Sequence, residues 1–550
     1  MGASALGLMW AGCASVGRKK WPRLPEITVC GDHAPIDRNV RVGAAQGYLA
    51  DDPEKAHEAL WAKAQFIQSK GGIPAPKEKV PLVIVGGGLS GLLSAYLLRH
   101  HKPILLEQAQ RFGGNAKGES WDGLDYALGA AYFVKPETGS SWYQLLSELG
   151  ATNLWRELNS GSKVEWKGRL IEGFWEGATD PKGRPFFSKA AKYVQDVLHE
   201  RNGRRYPELP ARNAKQLDLL KQLDRETLHS HLKRALGGRL HPHFETHLEQ
   251  YCWSSFGASA HELSAAHGMN FYTEEFEDLV VLPGGNAGVA ELVLKSLEMS
   301  LAQGNLRPES LVVNVKVQDD EVHVTYLDSN GQLNTVAAKA VVMACPKFVA
   351  KKLIDDLPLA QSQAISQIKY RSYLVANILI DGPPPAEEFY DLFLLGNGRH
   401  DTLSTRQAAE KRGATDVVLA NFSCRGFDSK TVLTMYWAMP FDGALASLYA
   451  SQSFANYRKR FETQLLQEIL PLFGYDQRRV VDLRIARWGH PLPVAEKGLL
   501  TRGVLERARA DHGRRVFFIE QDNWAQPAIE TSASEAMYHC PRVDAFLKQS

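Results

Sequence analysis

The 550-residue chain contains no apolar run approaching the ~20 residues that a membrane span requires, so no spanning helix is expected. Its six cysteines, Cys13, Cys30, Cys252, Cys345, Cys424 and Cys540, are scattered without a Cys-x-x-Cys pair. That spacing indicates neither a disulfide framework nor a zinc site. Charge of one sign is lacking too. Lys and Arg number 64 against 62 Asp and Glu, and beyond short clusters such as 201–205 no basic stripe stands out. A nucleic-acid partner is therefore not expected. His229, His231, His241, His243 and His247 crowd one segment, yet no acid or cysteine stands at ligand spacing, so no metal is expected. What is present is a globular composition, 44% hydrophobic and 23% charged, long enough for two domains or one large interleaved domain.

The most informative stretch is 80–98, Val-Pro-Leu-Val-Ile-Val-Gly-Gly-Gly-Leu-Ser-Gly-Leu-Leu-Ser-Ala-Tyr-Leu-Leu. The run Leu82 to Val85 is too short for a helix and rich in β-branched residues. It meets Gly86, Gly88 and Gly91, after which apolar residues recur at helical spacing, predicting strand, tight turn and helix. A second apolar run, Pro103 to Leu106, ends on Glu107, about 20 residues beyond the first glycine, as a returning βαβ strand requires. Gly86 permits the turn, Gly88 lets backbone approach a pyrophosphate, and Gly91 lets the helix pack closely on the strand. The helix start, with Ser90, offers N–H donors and a positive dipole end to phosphates, and Glu107 can accept ribose hydroxyls. Dinucleotide binding is the expected role.

Beyond Glu107 come Gln108-Ala109-Gln110-Arg111-Phe112-Gly113-Gly114-Asn115-Ala116-Lys117 and then Leu128-Gly129-Ala130-Ala131-Tyr132. Acid, spacer, glycine pair and small-residue strand resemble the FAD-binding half of the flavin amine oxidase superfamily, which includes amine oxidases, protoporphyrinogen oxidases and phytoene desaturases. The resemblance implies Glu107 and Gln108 at the adenosine ribose, and Arg111, Gly113 and Gly114 along the pyrophosphate and ribityl. It also implies Ala130 beside the isoalloxazine. Asn115 departs from the amine oxidases, whose glycine pair is usually followed by arginine, and is more like the desaturases.

Residues 136–275 read as helices with apolar stripes, among them 142–149, 190–198 and 214–236, where the superfamily carries its substrate-covering region. A second glycine turn, Gly284-Gly285-Asn286, precedes a helix over 289–303 and strands at 311–317, 322–326 and 340–344. By resemblance, Val315 closes over the adenine. Aromatic strands 370–380 and 432–439 should floor the substrate pocket, making Tyr373, Tyr436 and Trp437 candidate walls. Trp488 and His490 are candidate catalytic neighbours of the flavin. Strand 516–519, an acid and a helix start resemble the superfamily's last motif, with Asp522 favoured over Glu520 as the acid and Ile529 as an N–H donor to the flavin.

The expected fold is α/β: a Rossmann-like FAD-binding domain interleaved with an α+β substrate-binding domain. The expected division is a leader over 1–78, FAD-binding parts at 79–135, 276–350 and 496–550, a helical substrate or lid region at 136–275, and a substrate-side sheet at 351–495. The leader should hold one helix over 53–69 and is assigned no chemistry. The resemblance implies FAD as cofactor and hydride transfer from a small organic substrate, amine or polyene/porphyrin-like, to flavin N5, with oxygen or another electron acceptor. A non-catalytic FAD-binding scaffold is the alternative. At the extreme N-terminus, small residues before Cys13 resemble an export or lipoprotein signal, though no basic region precedes them. Periplasmic or lipid-anchored placement and cytoplasmic placement both stay open.

Overall fold

The computed structural model describes residue 36 and residues 38–159, 163–200, 208–386, 389–396, 404–424 and 426–549. The export-signal reading lies outside them. Within them, no helix is long and apolar enough to cross a membrane.

The apolar run at 82–85 lies inside the strand Glu78–Val85, which is paired in parallel with Ile104–Leu106 on one side and Leu333–Met343 on the other. Successive side chains alternate between two cores. Leu82 and Ile84 pack among residues of the helices Leu89–Leu97, Asn286–Ser300 and Ile529–Gln549. Val83 and Val85 face a second cluster with Val312, Val324 and Val341. A strand covered on both faces has no polar side, which is why this run lacks alternation. Leu333–Met343 also pairs in parallel with Val516–Phe518, so one sheet gathers strands from three separated parts of the chain. The hairpin of Leu311–Gln318 and Glu321–Leu327 completes it.

A second, eight-stranded sheet runs in the order Leu49–Ala50, Val480–Pro493, Tyr370–Asp381, Lys430–Met439, Asp416–Leu419, Asp391–Leu394, Val164–Trp166, Arg169–Ile171. Helices Arg184–Glu200, Ala214–Leu223, Leu228–Ala235, Pro242–Phe256 and Ala265–Tyr272 share a separate core beside it. The histidines of this region are spent on protein partners. His229 meets Glu245, His231 meets Glu226 and Tyr193, and His241 meets Asp180. His247 stacks on Phe174, and burial pushes its pKa down to about 3.

Three local expectations change. The leader helix is two, Glu54–Trp61 and Lys63–Ser69, because Ala62 leaves helical geometry at φ −124° and ψ 51°. The stripe at 214–236 also divides. Asp224, at the first helix's C-terminus, accepts the Thr501 backbone N–H at 2.7 Å, and Thr227 caps the next helix. Cys424 is disulfide-bonded, a cross-link that the cysteine spacing did not indicate.

Candidate active site

A cavity of about 1400 Å³ is lined by residues of both sheets and of the leader. Its first end is bare backbone. Gly86 sits at φ +106°, and a Cβ on Gly91 would come within 1.8 Å of the Gly86 carbonyl oxygen. Gly113 donates to the Gly87 carbonyl at 2.8 Å, which brings the two glycine turns together. A Cβ on Gly114, at φ +58°, would approach the Gly88 Cα to 2.8 Å. Only glycine keeps this cradle open. Gly86, Gly88, Ser90, Gly113 and Gly114 line the cavity. Gly91 does not; it packs under the turn.

Glu107 holds the cradle's shape, since one carboxylate oxygen accepts the Gly87 N–H at 2.7 Å and the other the Ala109 N–H at 2.8 Å. Gln108, Arg111, Asn115 and the exposed Ala130 also line the cavity. Arg111 donates to the Gly118 carbonyl at 2.8 Å and lies 3.7 Å from Glu291; burial lowers its pKa. The Asn115 amide donates to the Pro491 carbonyl at 3.3 Å.

Opposite stand Asp522 and Ile529, the latter opening the helix Ile529–Gln549. Asp522 accepts the Lys347 backbone N–H at 3.0 Å and the Tyr370 hydroxyl. The competing acid, Glu520, also reaches the cavity but is paired with the fully buried ammonium of Lys347, and burial still pushes its carboxyl up to about 8. Val315 requires a correction. It is fully buried between the sheet and Ile354, and the residues of its strand that reach the cavity are Leu311 and Val312, where the chain enters the sheet.

The far end follows from strand register. Trp488 pairs with Tyr373, and Tyr436 pairs with both Val375 and Asp416, so these side chains project from one face of the second sheet into the cavity. Trp437, one residue on, projects from the opposite face by the period of two. It is therefore no pocket wall: it packs between Tyr457 and Phe461 under the Arg460 guanidinium. Tyr436 donates to the Gly129 carbonyl at 2.8 Å, and Trp488 donates its indole N–H to the Leu128 carbonyl at 2.7 Å. His490 lines the cavity against Phe348, and burial lowers its pKa.

Sequence reasoning missed several lining residues. Asp416 accepts from Ser254 at 3.1 Å and from Thr415 at 2.6 Å; burial and nearby Asp391 raise its pKa well above the usual carboxyl range. Tyr132 donates to Asp391, whose carboxyl burial pushes up to about 6. An acid opening the otherwise apolar strand Asp416-Val417-Val418-Leu419 was the available signal. Asn286 begins the helix after the second glycine turn and presents an Oδ1 that has no hydrogen-bond partner among the described residues. The leader was assigned no chemistry, yet Asp51 and His57 line the cavity. The Asp51 carboxylate accepts the Tyr449 hydroxyl at 2.6 Å and the Gly489 N–H at 3.1 Å.

Residues 89–490 match the sequence pattern of the flavin-containing amine oxidoreductases, well over half the chain. The chain belongs to that family. It is an FAD-dependent oxidoreductase with the family's Rossmann-like fold. Among curated relatives, it is 22% identical over 509 residues to oxidoreductase PigB of Serratia sp. (strain ATCC 39006), covering 83% of this chain and 73% of that protein. The L-amino-acid oxidase of Sistrurus catenatus edwardsii is 23% identical over 60% of this chain and 64% of its own length. Among solved structures, putrescine oxidase bound to putrescine superposes with a TM-score of 0.61 at 15% identity, covering 85% of this chain and 99% of that one. The cavity suits the family's cofactor: two facing glycine turns leave backbone that any Cβ would obstruct, and the orphaned Asn286 Oδ1 awaits a donor.

Proposed function

We propose that this flavoenzyme oxidises a small substrate carrying a basic nitrogen. One observation carries the reading: Asp416 and, behind Tyr132, Asp391 sit buried at the far end, and neither forms an ion pair with a cation among the described residues. Uncompensated buried carboxyls are costly in the ionised form. An ammonium brought to that end supplies the counter-charge and lets Asp416 ionise, which fixes where the nitrogen sits. A polyene offers nothing to these acids. FAD bound in the cavity would supply the acceptor for the hydride that leaves the substrate carbon, once the adjacent ammonium has given up a proton, for which the Asp416 carboxylate is the nearby base. The rings of Tyr373 and Tyr436, 6.0 Å apart and inclined at 77°, wall the space and exclude water. The hydroxyl of Tyr436 fixes that ring against the Gly129 backbone carbonyl, and Ser254 holds both Tyr373 and Asp416 in place.

The test is anaerobic bleaching of the flavin absorbance across amines, diamines and polyenes. Bleaching by an amine, with kcat/KM falling about 100-fold in Asp416→Asn while the flavin stays bound, is expected; 100-fold corresponds to about 2.7 kcal/mol. Bleaching by polyenes alone overturns the substrate reading. Flavin that no donor reduces would favour the non-catalytic scaffold.

A further inference from the structure

Asn115, directly after the second glycine pair, carries no charge, and its amide donates to the Pro491 carbonyl. Two residues later, Lys117 is 8% exposed and lines the cavity. Its ammonium has no hydrogen-bond acceptor and no ion pair among the described residues. Its place is fixed by the backbone: the Lys117 carbonyl accepts the Leu128 N–H at 2.8 Å, at the mouth of the hairpin formed by Gly118–Trp121 and Leu124–Ala127. The side chain lies along the bare face of the doublet, where a Cβ on Gly113 would come within 3.4 Å of the Lys117 Cγ.

Nearby charge does not neutralise it. Glu107 and then Asp51 are the acids that favour the ammonium, but the Glu107 oxygens accept the Gly87 and Ala109 N–H groups, Asp51 accepts Tyr449 and Gly489, and Arg111 and Arg38 oppose the ammonium. An unpaired ammonium on a largely buried side chain is disfavoured in the apoprotein. It persists where a bound anion compensates it. The diphosphate is FAD's anionic part, and the facing glycine turns beside Lys117 are shaped for close approach to such a group.

We propose that Lys117 is the cation that neutralises the cofactor's diphosphate, a charge that the neutral Asn115 beside the glycine pair cannot supply. This rests on FAD being the cofactor and is independent of which substrate is oxidised. A lysine holds phosphate as a point charge without the bidentate geometry of arginine, so its position two residues beyond Asn115 can serve that purpose.

The experiment uses the full-length protein stripped of FAD and reconstituted. FAD affinity is read by flavin fluorescence, and melting of the apoprotein is followed with and without ADP, which carries a diphosphate but no flavin. Lys117→Met should weaken FAD at least tenfold and abolish the stabilisation by ADP. Its apoprotein should melt at the same temperature as wild type or higher, because an uncompensated charge has been removed. Lys117→Arg should stay within a few-fold of wild type, and Lys117→Gln should repeat the loss without added apolar bulk. Lys117→Met that binds FAD as tightly as wild type overturns the proposal. So does a loss of FAD accompanied in both Met and Gln variants by a fall in apoprotein melting temperature, the signature of a merely structural lysine.

Discussion

The two ends of the cavity are built on opposite principles. The glycine end works by absence of side chains: Gly86, Gly88, Gly113 and Gly114 present backbone, and positive φ at Gly86, Gly113 and Gly114 makes glycine obligatory. The tyrosine end works by side chains projected from a sheet face whose partners come from strands far apart in sequence, Tyr373, Asp416, Tyr436 and Trp488. The first end is local and rigid in its requirements. The second tolerates substitution of its side chains while the sheet survives, so it is where a family sharing one cofactor can change substrate.

The sharpest way to break this comparison is at Gly91. A Cβ there meets the Gly86 carbonyl oxygen at 1.8 Å, and both atoms belong to the strand–turn–helix core, so neither can move cheaply. Gly91→Ala should cost about 3 kcal/mol or more and release the flavin, measured as lowered melting temperature and loss of bound FAD on gel filtration. A variant that keeps its flavin and its melting temperature would show that the turn is more plastic than its geometry indicates. No single substitution at the tyrosine end should do as much.

This contrast explains what was legible in the sequence. Gly86, Gly88, Gly91 and Glu107 fall within 22 consecutive residues, and their spacing encodes both the turn and the returning strand. Much of the first sheet was legible for the same reason, its strands at 82–85, 104–106, 311–318 and 516–518 being short apolar runs, whereas Leu306–Arg307 and the first half of Leu333–Met343 were not. Asp416 was legible only as an acid opening an apolar strand; its place in the cavity depends on pairing with Tyr436, and pairing cannot be read from one strand. Trp437 was misplaced because the resemblance supplied a neighbourhood, while strand parity decides which side chain faces the cavity, and parity shifts with a single residue. Val315 differs by position along its strand: the consecutive Leu311 and Val312, where the chain enters the sheet, reach the cavity and Val315 lies beyond them. The leader escaped because, among the described residues, its contribution to the second sheet is the two-residue strand Leu49–Ala50, too short for any periodic signal.

A smaller effect is the dependence of stability on pH, to which buried carboxyls at both ends contribute, Glu520 among them. Asp391 has a pKa of about 6 in the fold against an ordinary 3.8, and Glu275, pushed up by burial, reaches about 8 against 4.5. Both are raised carboxyls, so between the ordinary and folded values the native state holds a proton that the unfolded chain has released. Stability should therefore fall as pH rises from about 4 through about 8, Asp391 contributing between about 4 and 6 and Glu275 between about 4.5 and 8. Melting of the apoprotein across that range checks it. Asp391→Asn should make the fall between about 4 and about 6 shallower and leave the slope from about 6 to about 8, whereas a profile identical to wild type would show that Asp391 ionises without cost.

The finest distinction lies between neighbours on one strand. Tyr436 and Trp437 are both buried, at 7% and 2% exposure, but face opposite sides of the sheet. Tyr436→Phe removes one hydrogen bond, to the Gly129 carbonyl, and leaves the ring; the expected loss of stability is about 1 kcal/mol, with the effect concentrated in turnover. Trp437→Phe leaves space beside Tyr457, Phe461 and Arg460, costing about 2 kcal/mol of stability with kcat/KM unchanged. Measuring melting temperature and kcat/KM on both variants separates the faces. If Trp437→Phe impaired turnover while Tyr436→Phe did not, the sheet's parity, and with it the placement of Asp416 and Tyr373 in the cavity, would have to be reversed. The side chains of four strands are fixed relative to one another by pairing, so one reversal would carry the rest.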